Sequence, residues 1–134
     1  MPTMKFHHSG FVVHDIDAWD KNIFYERKVA DVVDPLQNAR LALYSNYSSS
    51  FIELIQPLNE NAYTWNSLQR SGNHFNHFCY ELEDLKELKE RVSQMRMLKV
   101  LDPIPAVLFE GRSVCFYYTK NRQLIEFLIN EMRE

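Results

Sequence analysis

Glycine is scarce in this chain. Gly10, Gly72 and Gly111 are the only three in 134 residues, which excludes a dinucleotide fingerprint or a phosphate-binding P-loop, because both need several glycines at fixed offsets. Cysteine is scarcer still. Cys79 and Cys115 share no Cys-x-x-Cys spacing and are too few for a disulfide framework, so a reducing, cytoplasmic setting is expected. A basic excess is missing too: fifteen Lys and Arg against eighteen Asp and Glu leave a formal charge of −3, without the positive surplus a nucleic-acid-binding surface needs. No apolar run approaches the ~20 residues that cross a bilayer. The opening MPTMKFHHSG lacks the long apolar stretch of a secretory signal. Neither nucleic acid nor membrane is therefore expected as a partner, and a small molecule is.

What the chain does hold is the material of a core. Hydrophobic residues make up 46%, and nine Phe, seven Tyr and two Trp exclude disorder. At this length the chain reads as one domain, 1–134. Its pattern runs twice. The first pass, module 1 at about 5–57, opens with the strand KFHHSGFVV (5–13) and continues into IDAWDKNIFYERK (16–28), whose Ile16, Trp19, Ile23 and Phe24 fall at helical spacing behind Asp15. Strands follow at 29–34, 39–45 and 50–57, with SNYSSS (45–50) as a hairpin turn. A polar linker at about 58–72 has room for one helical turn.

Module 2, about 73–130, opens with the strand HFNHFCYEL (74–82), then a helix whose apolar stripe is Leu82, Leu85, Leu88, Val92 and Met95. A short strand near 98–102, a break at Pro103 and Pro105, and strands at 113–119 and 123–130 complete it. Each half is strand, helix, strand, strand, strand, a repeat of a fold unit.

With glycine loops excluded, chemistry has to come from side chains on strands. The first strand of each half carries a histidine, His8 and His77, and the last carries one glutamate inside an apolar run, Glu53 in FIELI and Glu126 in LIEFLI. For any one of these alone, a satisfied core histidine or a solvent-facing glutamate is the better explanation. All four at equivalent places of a repeat favour a metal. A carboxylate in an apolar strand is costly to bury unpaired, whereas two neutral imidazoles and two carboxylates around a divalent cation sum to zero charge. Nitrogen and oxygen donors without thiolate suit Zn, Ni, Co, Mn or Fe.

These stretches, with FHHSGFVVHDIDAWDKNIFY, FIELIQPLNENA, NHFNHFCYELEDLKELKERV and GRSVCFYYTKNRQLIEFL, resemble the vicinal oxygen chelate superfamily of glyoxalases, epimerases, bleomycin-resistance proteins and extradiol dioxygenases. Methylmalonyl-CoA epimerases come nearest. The resemblance runs from about residue 5 to 130. It implies an α+β fold in which two βαβββ modules pair into an open, barrel-like sheet of eight strands with helices outside. It also implies a divalent metal held by His8, Glu53, His77 and Glu126, and a homodimer. Two departures stand out. TKNRQ (119–123) replaces the Asp-Pro-x-Gly turn that often precedes the last strand, and NARLALYS (38–45) has Arg40 where some epimerases carry a second acidic base.

Among other candidates, His7 faces away from His8, His74 lies near the linker, and His14 sits at the strand-to-helix turn. Cys79 and Cys115 read as inert core. Arg40 and Arg112 offer planar forks for a carboxylate or phosphate, although surface charge is the commoner role. Tyr63 and Trp65 are placed to form a lid or to cap the core's edge. The expected activity is that of a metal-dependent isomerase or lyase. It would remove a proton next to a polarised carbonyl of a small acyl thioester or hydroxy-carbonyl compound, with Glu126 or Glu53 as base. The alternatives are a metal-free drug-binding protein of the bleomycin-resistance kind and, third, an Fe(II) extradiol-type dioxygenase.

Overall fold

The computed structural model describes residues 4–134. The eight strands belong to one mixed sheet that does not close, four to each half, in the orders β2-β3-β4-β1 and β5-β8-β7-β6. The α+β class expected from the sequence is therefore found. The chain divides into two compact units, His8–Asn76 and His77–Glu134 with the residues up to His7.

In the first unit β1 (Lys5–Val12) leads into α1 (Ile16–Trp19), and β2 (Arg27–Asp34), β3 (Ala39–Ser45) and β4 (Phe51–Pro57) follow. β1 pairs parallel with β4, and β2–β3–β4 is antiparallel. The Asp15 side chain caps α1 by accepting from the Asp17 backbone N–H. The helix is much shorter than the expected 16–28: after Trp19 come one 3₁₀ turn (Asp20–Asn22) and extended chain from Ile23. Extended alternation explains it. Ile23 and Tyr25 pack inward onto a core of Val13, Ile16, Ala42, Tyr44 and Leu54, while Phe24 between them stands 88% exposed. The Tyr25 ring lies 4.7 Å from that of Tyr44, and this tertiary contact outweighs a weak helical preference in an Ile-Phe-Tyr run. The polar connection holds α2 (Trp65–Ser71), two turns rather than one.

The second unit repeats the plan with β5 (His74–Asp84), α3 (Leu85–Met95), β6 (Leu98–Pro105), β7 (Ser113–Tyr118) and β8 (Leu124–Glu131). Asp84 caps α3 by accepting from the Glu87 N–H, and Glu87 reaches back to accept from the Glu83 N–H. Leu88 of α3 is buried with Leu82, Cys115, Ile125, Phe127 and Ile129, flanked by Leu85 and Val92. Met95, the last of the expected stripe, is exposed as the helix ends at Arg96 in a left-handed conformation. β6 does not stop at Pro103 but runs to Pro105, with register shifts on either side of Leu101. It is the terminal strand of its set, where a missing N–H leaves no neighbour unpaired.

In both units the helix covers one face of its strands. Alternation then sends the remaining residues, His8, Glu53, His77 and Glu126 among them, to the other face.

Candidate metal centre

In the first unit the parallel register of β1 on β4 sets Gly10 opposite Glu53, with His8 two residues earlier on the same face. His8 Nε2 lies 3.2 Å from Glu53 Oε1. The imidazole is fully buried and the glutamate is 4% exposed. On its other side Glu53 faces Leu43 of β3, and Gly10 offers no side chain.

The second unit reproduces this construction. Cys79 lies opposite Glu126 in the parallel β5–β8 pair, and His77 again precedes by two. His77 Nε2 is 3.0 Å from Glu126 Oε1, both groups being almost wholly buried. Phe116 stands opposite Glu126 on β7, and its ring meets that of His77 edge-on at 5.6 Å. The structure therefore brings the four predicted ligands together as two pairs, His8 with Glu53 and His77 with Glu126. Each pair, with a neutral imidazole, places one negative charge almost out of water, which is costly without a compensating cation.

The donor chemistry fits a divalent ion. Two donors on one ion with bonds of ~2.1 Å stand ~3.0 Å apart at a right angle and ~3.4 Å apart at the tetrahedral angle, and the two pairs fall at 3.2 and 3.0 Å. Nitrogen and carboxylate oxygen are the donor types preferred by borderline and hard divalent ions.

The remaining candidates have other occupations. Arg40 is not available to a substrate: it grips Asp31 at 2.9 and 2.7 Å and Asp17 at 3.1 and 2.9 Å. It shares a strand face with Ala42 and Tyr44, which pack beneath α1. The β3 residues on the Glu53 side are Ala39, Leu41, Leu43 and Ser45, so no acid stands there. Arg112 donates to Asn130 at 2.6 Å and lies 3.4 Å from Glu81. The His7 ring meets Phe109 edge-on, His74 donates through Nδ1 to the Gly72 carbonyl, and His14 is exposed. Tyr63 is 67% exposed and Trp65 begins α2 half-buried. Both cysteines are buried, and neither is in a disulfide. Burial, with a lesser push from the Glu126 charge, raises the Cys115 thiol to about 12, so it stays protonated and inert.

Two features escaped the sequence. The residues opposite each glutamate, Gly10 and Cys79, need strand register to be seen. A cluster of Arg96, Lys120 and Arg122 on the second unit is assembled from two separate turns.

The chain belongs to the glyoxalase/bleomycin resistance protein/dioxygenase superfamily, matching it over residues 7–116. A search among curated proteins finds no match. Solved structures are similar throughout the fold. A hypothetical protein of Bacillus halodurans C-125 superimposes with a TM-score of 0.81 at 20% identity, covering 98% of each chain. Methylmalonyl-CoA epimerase from Mycobacterium tuberculosis gives 0.79 at 20% identity over 94% of this chain and 87% of its own. The Streptomyces coelicolor epimerase, in complex with 2-nitronate-propionyl-CoA, gives 0.76 at 20% identity over 93% and 96%. At such identities the likeness is one of fold.

Proposed function

We propose that this chain is a metal-dependent isomerase or lyase of the glyoxalase/epimerase type, with His8, Glu53, His77 and Glu126 as ligands of one divalent ion. The carrying observation is the like construction of the two pairs: in each, a buried histidine precedes by two the residue opposite a buried glutamate. One pair offers only two ligands, whereas resident metal sites use three or four from the protein, so both pairs are needed. Pooled, their two negative charges balance the two positive charges of one divalent cation.

A bound ion would supply Lewis acidity at the oxygen of a carbonyl. The chain's own residues do the rest. Glu126 or Glu53 accepts the proton from the carbon next to that carbonyl through a carboxylate oxygen, and returns it to the same or an adjacent position. No second acid is available from β3, whose residues on that side are Ala39, Leu41, Leu43 and Ser45, which favours one of these two glutamates acting alone. Leu43 and Phe116 stand beside the glutamates and limit water at the carboxylates. A small acyl thioester or hydroxy-carbonyl substrate fits this chemistry, and the likeness to epimerases solved with acyl-CoA ligands supports the thioester. Two buried cysteines outside any disulfide support a reducing cytoplasm, and among the described residues no helix is long and apolar enough to cross a membrane.

Metal titration of chelator-treated protein tests the proposal. One divalent ion per chain is expected, with affinity falling beyond ~10-fold in His77→Ala. No uptake by the native chain would sink the enzyme and leave the metal-free binder in its place.

A further inference from the structure

Beneath α3 the covering of the sheet is incomplete. Leu85, Leu88 and Val92 seal the first part, but Met95, next on that stripe, is 55% exposed and the helix ends at Arg96. The gap is a cavity of about 210 Å³, floored by Ile125 and Phe127 of β8 and walled by Tyr80 of β5. Met4, Met95 and Met97, three of the chain's five methionines, close its sides. It lies on the helix side of β8, whereas the alternation of the strand sends Glu126 to the other face.

The aromatic wall is fixed in place. Tyr80 and Phe127 are cross-strand partners, and each ring is braced edge-on by a neighbour, Tyr80 by Phe6 at 5.7 Å and Phe127 by Tyr117 at 6.0 Å. The methionines opposite are unbranched and polarizable, and adapt to the shape that sits against them. Arg91, Gln94 and Gln123 make the rim polar. The Arg91 contact with Glu87 Oε2, at 3.5 Å, is at the outer limit of a hydrogen bond. A closer pairing is opposed by the helix cap, in which Glu87 Oε1 accepts from the Glu83 N–H at 2.9 Å. A guanidinium with five N–H donors so keeps capacity for an incoming carboxylate.

We infer that this cavity binds a small aryl carboxylate, with its ring between the methionines and the Tyr80–Phe127 wall and its carboxylate on Arg91. Size sets the first limit. A cavity of ~150 Å³ already holds benzene, so 210 Å³ admits one ring with a short acidic arm and is too small for a drug-sized ligand. The wall sets the second, because sulfur–ring and edge-to-face contacts favour an aromatic ring over a saturated one. Charge sets the third: among the described residues that line the cavity, Arg91 alone is charged, and its planar fork matches a carboxylate. Ile125 and Phe127 flank Glu126 along β8, so the ligand rests against the back of the strand that carries this glutamate. Binding itself does not depend on the proposed function.

The test is an NMR titration of the full-length protein, labelled at its methionine methyl carbons, with phenylacetate. Saturable binding with Kd below ~1 mM is expected, shifting the Met4, Met95 and Met97 signals and leaving that of Met132, which follows β8, in place. Phenylacetamide, the uncharged analogue, should bind at least ~10-fold more weakly. Cyclohexylacetate, which keeps the charge but has a saturated ring, should bind ~3-fold or more weakly. Arg91→Gln should weaken phenylacetate at least ~10-fold and leave phenylacetamide unchanged, a difference that a general loss of stability would not produce. No saturable shift up to ~10 mM, shifts confined to Met132, or either analogue binding as tightly as phenylacetate would each overturn the assignment. Unchanged phenylacetate affinity in Arg91→Gln would do the same.

Discussion

Replacing Arg40 by Gln separates a structural arginine from a substrate-gripping one. Arg40 on β3 donates four hydrogen bonds, two to Asp31 on β2 and two to Asp17 on α1, and so ties the helix to two strands. The Asp31 carboxyl is held at about 2 instead of 3.8, first by the hydrogen bonds from Arg40 and then by Lys28, against the opposing effect of burial. That depression corresponds to ~2.5 kcal/mol at most. Asp31 is 31% exposed and Lys28 contributes a share, which leaves about 1 kcal/mol for Arg40 after solvent screening. In a domain of this size the loss lowers the melting midpoint by ~3–5 °C. Because the folded pKa is depressed, the stabilisation is complete above the unfolded value near 4 and disappears as pH falls through about 2. Thermal melts followed by circular dichroism should therefore show wild type and Arg40→Gln separated at pH 7 and converging between pH 4 and pH 2. Metal uptake should be identical in both, since Arg40 lies on the strand face away from Glu53. Equal stability at pH 7, or a gap that persists undiminished into acid, would refute this assignment. Loss of turnover with stability intact would make Arg40 a ligand of the substrate.

Glu126→Gln keeps the shape of the side chain but removes its basicity. Turnover of an accepted thioester should fall ~100-fold or more, and undiminished turnover would pass the proton to Glu53. Cys79 and Cys115, both 0% exposed, should resist a thiol reagent in the native protein and react together once it is denatured, as absorbance of the released thiolate would record. The family resemblance predicts a homodimer with two-fold symmetry; sedimentation at micromolar concentration should give twice the chain mass, and a clean monomer would overturn that expectation.

Much of the fold was legible because its signals are local. The apolar stripe of Leu85, Leu88 and Val92 announced α3, the largely apolar run ARLALYS announced β3 at 39–45, and the repeat of His8 and Glu53 as His77 and Glu126 pointed to paired ligands. These are properties of residue type and spacing, which sequence records directly. What failed was decided by distant residues. α1 stops at Trp19 because Tyr25 is drawn onto Tyr44 of β3. β6 continues through Pro103 and Pro105 because its place at the end of a strand set makes no demand on their missing N–H groups. Arg40, an open question in the sequence, became a clamp once the strand faces were set and Asp17 and Asp31 came within reach. Register is a relation between segments and leaves no mark in either one alone. For that reason Gly10 and Cys79 opposite the glutamates, and the cations at 96, 120 and 122 around one cavity, emerged only from the tertiary structure.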